Sequence, residues 1–211
     1  MSLGRPLGAS SITTCYDSIV HAYLGLITAT SRGTLHFWWE RLDSSVWNQE
    51  VIAAARPAGS YAGASVAVTR GDLLLTAAST AGSIDLWWQA IGGSTWTQQL
   101  VAPAGGGTWY AHPMVTWTGP VPGGPSSYDV VTATTRNGTL DYWWKLDGDS
   151  TWNRETVAES GRLASYAYPA IAVKSLSSVI STAINTKPGD VLFWSQPFGT
   201  SPWHRQTVAR G

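Results

Sequence analysis

Aromatic and polar side chains alternate along four short segments of this 211-residue chain. The segments read GTLHFWWE, GSIDLWWQ, GTLDYWWK and GDVLFWSQ, and they begin at Gly33, Gly82, Gly138 and Gly189. An aromatic ring can cover the apolar face of a small cyclic ligand, while neighbouring polar groups bind the ligand's hydroxyls. Such a site needs little net charge. The pattern therefore predicts non-covalent binding of a sugar-like ligand.

Two aromatic series and the polar positions beside them supply the candidate ligand-binding residues. One series is the Trp that all four segments share, and the other is a Tyr expected to open the first strand of each repeat. The predicted ligand-binding residues are Tyr16, Tyr61, Tyr110, Tyr166, Trp38, Trp87, Trp143, Trp194, His36, Asp85 and Asp141. The same Trp series also fits packing between neighbouring sheets, with its polar partners at solvated strand ends. Both interpretations stay open at this point.

A second set of segments establishes the repeat. WNQEVIA, WTQQLVA, WNRETVA and WHRQTVA begin at Trp47, Trp96, Trp152 and Trp203, so four units of about 50 residues fill the chain. We predict one domain in which residues 1–15 form a linker-like segment. The four units are then predicted at 16–60, 61–109, 110–165 and 166–211.

The pattern inside each unit is typical of β-strands. β-Branched and aromatic residues alternate over short runs that Gly, Ser, Pro and Asn interrupt, and RNGT is a strong two-residue hairpin signal. Four antiparallel strands per unit, repeated at this period, predict an all-β fold, a β-propeller of four four-stranded antiparallel blades. Two ways of closing the ring remain open, within the chain or with other subunits as part of a larger homo-oligomeric ring.

Composition excludes several functional classes. The 13 basic residues balance the 13 acidic ones, so the chain lacks the positive field that nucleic-acid binding requires. The lone Cys15 offers neither an internal disulfide nor a Cys-based metal site, and we expect no metal and no cofactor. No apolar run approaches the length of a membrane span. We expect a soluble protein without a recognisable signal peptide, and an extracellular location is compatible with this.

The repeat layout, GxLxxWW followed by WxxxxVA, resembles that of β-propeller lectins of the tachylectin, tectonin and fungal fucose-lectin kind. The resemblance covers about residues 16 to 211 and lies in repeat architecture and aromatic placement. It implies a non-catalytic protein whose partners are glycans or glycoconjugates. It also implies up to four pockets, each lying between adjacent blades.

Two alternatives stand beside the lectin hypothesis. A propeller with little charge and many aromatic residues also suits a protein-interaction scaffold. A glycosidase would need two carboxylates across one cleft. Glu50 and Glu155 occupy the same place in their repeats and therefore resemble decoration of a strand more than a catalytic pair.

Overall fold

The computed structural model describes residues 10–17, 22–56, 59–69, 71–106, 108–119, 127–175, 178–197 and 202–211. Sheet 1 contains β1 (Ser10–Asp17), β2 (Ala22–Ser31), β3 (Thr34–Arg41) and β4 (Asn48–Ala53). Sheet 2 contains β5 (Tyr61–Val68), β6 (Asp72–Ser79), β7 (Ile84–Ala90) and β8 (Thr97–Ala102). Sheet 3 contains β9 (Tyr110–Thr118), β10 (Tyr128–Thr135), β11 (Leu140–Leu146) and β12 (Asn153–Ala158). Sheet 4 contains β13 (Tyr166–Ser175), β14 (Ser178–Asn185), β15 (Val191–Pro197) and β16 (His204–Ala209).

Each sheet is an antiparallel meander in which consecutive strands pair in sequence order. This arrangement confirms the predicted all-β fold of four four-stranded blades, and the described residues contain no helix. Short hairpins join the second and third strands of each sheet, because the intervening residues are turn formers such as Asn137-Gly138.

The sheets pack face to face in chain order. The first strand of each sheet packs against the first strand of the next, β1 on β5, β5 on β9 and β9 on β13. Three apolar clusters fill the junctions between sheets 1 and 2, 2 and 3, and 3 and 4. We call the face that meets the following sheet the forward face and the opposite one the rear face. The third strand shows the division, since Phe37 lies on the forward face of sheet 1 and Trp87 on the rear face of sheet 2.

The described residues form no comparable junction between sheet 4 and sheet 1. Trp87, Trp143 and Trp194 on the rear faces of sheets 2 to 4 are 3%, 2% and 2% exposed, whereas Trp38 on the rear face of sheet 1 is only half-buried. On the forward faces, Phe37 is 2% exposed and its counterpart Phe193 in sheet 4 is half-buried. The four blades therefore form an array with two incompletely covered ends.

Two predictions about the start of the chain are wrong. β1 begins at Ser10, inside the segment predicted to be a linker and six residues before the predicted start of the first unit at Tyr16. Tyr16 does not open this strand, because it lies next to the strand's last residue and pairs with Tyr23 near the start of β2. Tyr16 therefore lies at the edge opposite Tyr61, Tyr110 and Tyr166, each of which opens its strand as predicted.

The same irregularity recurs between the third and fourth strands of all four sheets. The register shifts by one residue directly before His36, Asp85, Asp141 and Leu192. The extra residue on the fourth strand is the one directly before the strand's last Ala, namely Ile52, Val101, Val157 or Val208. A bulge twists a strand locally and redirects its side chains. It therefore sets the orientation of the polar position beside it.

A backbone contact ties each sheet to the one before. The N–H groups of Tyr61, Tyr110 and Tyr166 donate to the carbonyl oxygens of Gly33, Gly82 and Gly138 at 2.8, 3.1 and 2.8 Å. These glycines belong to the hairpin between the second and third strands of the preceding sheet and have φ between 81° and 94°. A positive φ and a close neighbouring chain together require glycine at this position.

We expect Gly138→Ala to lower the free energy of unfolding by about 2 kcal/mol or more, because the left-handed backbone would be strained and the new Cβ would lie 2.8 Å from Cα of Ser165. Gly148→Ala is the matched control, since Gly148 also has φ +85° but has open space around it. Urea unfolding of both variants measures the difference. Equal losses would show that the contact between sheets contributes nothing.

Candidate functional site

Three pairs of aromatic rings lie at the edge where the Tyr series meets the Trp series. In each pair the Tyr ring is nearly perpendicular to the Trp ring of the same sheet. The ring centroids are 5.1, 5.0 and 5.4 Å apart for Tyr61 with Trp87, Tyr110 with Trp143, and Tyr166 with Trp194. The structure thus brings together six of the predicted site residues. All three Trp rings are nearly inaccessible, so they also fill the core, as the packing interpretation requires.

A charged pair lies beside the aromatic pair of sheet 3. Arg154 Nη2 donates to Asp141 Oδ2 at 2.8 Å, and Thr156 Oγ1 donates to Asp141 Oδ1 at 2.8 Å. Asp141 is fully buried, while the Arg154 side chain is 48% exposed. The guanidinium carbon lies 5.9 Å from the ring centroids of both Tyr110 and Trp143. The buried carboxylate therefore orients an accessible guanidinium over two aromatic rings.

These groups border a cavity of about 370 Å³ between sheets 2 and 3. Sheet 3 contributes Tyr110, Trp143, Trp152 and Arg154, and the end of β8 with the following loop forms the opposite wall. The indole N–H of Trp152 is buried and has no hydrogen-bond partner. Aromatic surface and one cation around a cavity of this size are suited to a small polar ring.

The equivalent cavity between sheets 1 and 2 has different polar chemistry. Its volume is about 440 Å³, and Arg56, Tyr61, Trp87 and Gln98 lie in its wall. Burial raises the pKa of the Asp85 carboxyl, although hydrogen bonds from Gln98 and Tyr61 partly oppose this shift. Burial, together with the Asp85 charge, also raises the pKa of Tyr61. Here Gln98 takes the place of Arg154, so Asp85 is bound by neutral groups.

Sheets 4 and 1 depart further from this arrangement. Leu192 occupies the position of Asp85 and Asp141, so the Tyr166 and Trp194 pair lacks a carboxylate beside it. In sheet 1 the position is His36, whose Nδ1 lies 2.9 Å from Gln49 Nε2 and whose ring lies 5.2 Å from that of Trp38. The side chain of Tyr16 falls outside the described residues. The four repeats therefore do not form four equivalent sites.

Sequence reasoning missed the contribution of the fourth strand. Gln49, Gln98, Arg154 and Arg205 pair across the sheet with Trp38, Trp87, Trp143 and Trp194. These residues are the third letters of WNQE, WTQQ, WNRE and WHRQ, so their variation was visible in the repeat alignment. The missing step was the register, because cross-strand neighbours follow from pairing and not from sequence distance.

Metal-ligand clusters and membrane-spanning helices are both absent from the described parts of the chain. These parts contain no group of three or more His, Cys, Asp or Glu side chains placed to hold a metal ion. They also contain no helix long and apolar enough to cross a bilayer.

No family model matches the sequence, and no curated protein matches it. Solved structures do share the fold. The BP39L lectin from Burkholderia pseudomallei superposes with a TM-score of 0.68 at 15% identity, covering 96% of this chain and 56% of its own. Aleuria aurantia lectin in complex with α-methyl-L-fucoside gives 0.63 at 13% identity, covering 99% of this chain and 64% of its own. NanB sialidase from Streptococcus pneumoniae gives 0.57 at 13% identity, covering 82% of this chain and 27% of its own.

The chain spans 56% of the length of BP39L and 64% of that of the Aleuria lectin. At these identities the comparisons support the propeller fold. The sialidase shows that the same arrangement of sheets also occurs in an enzyme.

The two buried carboxylates should respond oppositely to neutralisation. Burial raises the pKa of Asp85 in the folded protein above its value in the unfolded chain. The protonated carboxyl therefore contributes to stability at low pH, below the unfolded pKa, and this contribution is lost as the pH rises through the folded pKa. At pH 7 we therefore expect Asp85→Asn to leave the free energy of unfolding unchanged or higher. Asp141→Asn should lower it by about 1 kcal/mol, because Arg154 loses its partner. Urea unfolding at pH 7 tests both, and equal losses would contradict the assignment.

Proposed function

We propose that this protein is a non-catalytic lectin that binds monosaccharide rings in the junctions between sheets 1 and 2 and between sheets 2 and 3. The observation that carries the proposal is the site on sheet 3. Arg154 is held by the buried Asp141 and is directed over the rings of Tyr110 and Trp143 beside an open cavity. A guanidinium donates hydrogen bonds to sugar hydroxyls, and an aromatic ring covers C–H groups.

Fucosides are the first ligands to test, because the Aleuria lectin of the same fold was solved with α-methyl-L-fucoside. An uncharged methyl sugar also suits the net charge of zero and the mixed lining of the cavity. Two such sites on one chain would bind clustered glycans with higher avidity than single ones.

Binding without catalysis accords with the state of the carboxylates. Asp141 is fully buried and is bound by both Arg154 and Thr156, so it cannot reach a glycosidic bond. Glycoside hydrolysis requires two carboxyl groups on either side of the scissile bond. Neither of the two cavities described above, which are lined by Tyr61 and by Tyr110, has two carboxylates in its wall.

Titration with methyl α-L-fucopyranoside should change Trp fluorescence in the wild type, and calorimetry should give the number of sites. We expect Arg154→Ala to weaken binding at its junction by about tenfold or more, because it removes a charged hydrogen-bond donor. Arg205→Ala is the matched control, since Arg205 pairs with Trp194 in the sheet that has Leu192. No response to fucosides or to a panel of other monosaccharides would favour a protein-interaction scaffold.

We propose, in addition, that the incompletely covered ends of the array associate with those of another copy. Three junctions inside the chain show which surface covers a rear face, namely the forward face of a sheet with the same pattern. The rear face of sheet 1 and the forward face of sheet 4 supply both halves of such a junction. Head-to-tail contact of this kind generates rings or filaments.

Sedimentation velocity should therefore show self-association that increases with protein concentration. We expect Phe193→Glu to abolish it, because a carboxylate would be buried on the forward face of sheet 4. Leu163→Glu serves as the control, since Leu163 is 79% exposed in the loop between β12 and β13. A wild-type protein that stays monomeric at all concentrations would contradict this part of the proposal.

A further inference from the structure

A second kind of cavity lies between sheets 1 and 2 at the edge opposite the Tyr series. Its volume is about 390 Å³, and we call it the opposite-edge pocket. One wall is aromatic, because the rings of Phe37 and Trp39 stack with centroids 5.7 Å apart and planes 19° apart. Glu50 and Gln89 supply polar groups to the lining. The pocket shares no lining residue with the cavity that contains Tyr61.

Gln89 is the unusual member of this lining. The residue is 5% exposed, and its buried Nε2 has no hydrogen-bond partner. Its cross-strand neighbour is Leu73, which offers no side-chain acceptor. A buried amide donor without an acceptor costs free energy, so such groups in native proteins call for an explanation.

The same position is satisfied in the two following sheets. Lys145 in sheet 3 lies 2.9 Å from Oδ2 of Asp129, its cross-strand neighbour. Gln196 in sheet 4 donates to the carboxylate of Glu155 in sheet 3 at 3.2 and 3.3 Å. The repeat therefore offers two ways of pairing this side chain, and Gln89 uses neither.

The acceptor that corresponds to Glu155 is present but is engaged elsewhere. Glu50 of sheet 1 occupies the equivalent position, and its Oε2 accepts a hydrogen bond from Trp96 Nε1 at 3.1 Å. This contact holds the carboxylate at the wall of the pocket. The space in which Gln89 and Glu50 would meet is thus left as a cavity with a fixed acceptor and an unpaired donor.

We propose that the opposite-edge pocket is a second ligand site for an uncharged, six-membered ring that carries a hydroxyl group. A hydroxyl both accepts and donates, so one such group can take the hydrogen bond from Gln89 Nε2 and give one to Glu50. The ring itself packs on Phe37 and Trp39. Gly93 also lines the pocket and adds no side chain to it. The site does not depend on sugar binding at the Tyr edge.

The Trp96 indole N–H signal in a ¹H–¹⁵N NMR spectrum reports on this pocket, because Trp96 Nε1 binds Glu50. The Trp96→Phe variant assigns the signal among those of the 13 Trp residues. Three probes test which kind of six-membered ring the pocket accepts: methyl β-D-glucopyranoside for a sugar, cyclohexanol for a saturated carbon ring and benzyl alcohol for an aromatic ring. We expect at least one of them to shift the Trp96 signal in a saturable way.

Gln89→Met keeps the volume of the side chain but removes the amide donor. We expect this variant to lose the probe-induced shift and, without ligand, to have a higher Tm than the wild type. Gln196→Met is the matched control, and it should keep the shift but have a lower Tm, since Glu155 loses its donor. Arg154→Ala should lose the response to fucoside at its junction and keep the Trp96 shift, which separates this proposal from the proposed function.

Three results would overturn the proposal. The first is a Trp96 signal that none of the three probes moves. The second is a shift that persists unchanged in Gln89→Met. The third is a lower Tm for Gln89→Met without ligand, because it would show that Gln89 is paired in solution and serves the fold.

Discussion

Every blade is a sheet that must be covered on both faces, and the described chain contains only other blades to cover it. This constraint explains the unusual use of Trp. Broad rings fill the space between splayed sheets, and a Trp on the third strand becomes nearly inaccessible wherever a preceding sheet covers it. Where that sheet is lacking, as at Trp38, the same residue stays half-buried. The exposed fraction of each Trp in this series therefore shows whether a preceding sheet covers it.

The same constraint places binding chemistry at the junctions. Inside a junction the apolar residues recur from sheet to sheet, whereas the polar residues at its two edges differ. Asp141 with Arg154, Asp85 with Gln98, and Leu192 occupy equivalent positions beside the rings. Packing restricts the apolar residues inside a junction closely. The polar residues lie at edges that open to solvent, so they are free to vary. Ligand selectivity can consequently change at one junction without altering the others.

Much of the fold could be predicted from the sequence, because strand alternation and the repeat determine which side chains share a face. Strand alternation alone places Phe37 and Trp38 on opposite faces, and the apolar clusters contain Phe37 and its equivalent Tyr142. The site was only partly predictable. Tyr16 was misplaced because it was taken as the fourth member of the Tyr series, although it lies next to the last residue of β1. Arg154 was missed because its neighbour Trp143 follows from the register of β11 and β12 and not from sequence distance.

The hydrogen bond from each site Tyr to the hairpin glycine of the preceding sheet makes neighbouring repeats fold as coupled units. In a linear array of repeats, stability is approximately a sum over units and nearest-neighbour interfaces. The terminal units then fray first, and an interior cavity exists only while both of its sheets are folded. The cavity between sheets 2 and 3 is flanked by folded neighbours on both sides, so it should outlast the others as denaturant is added. Ligand affinity at that cavity would thus be the last functional property to disappear on unfolding.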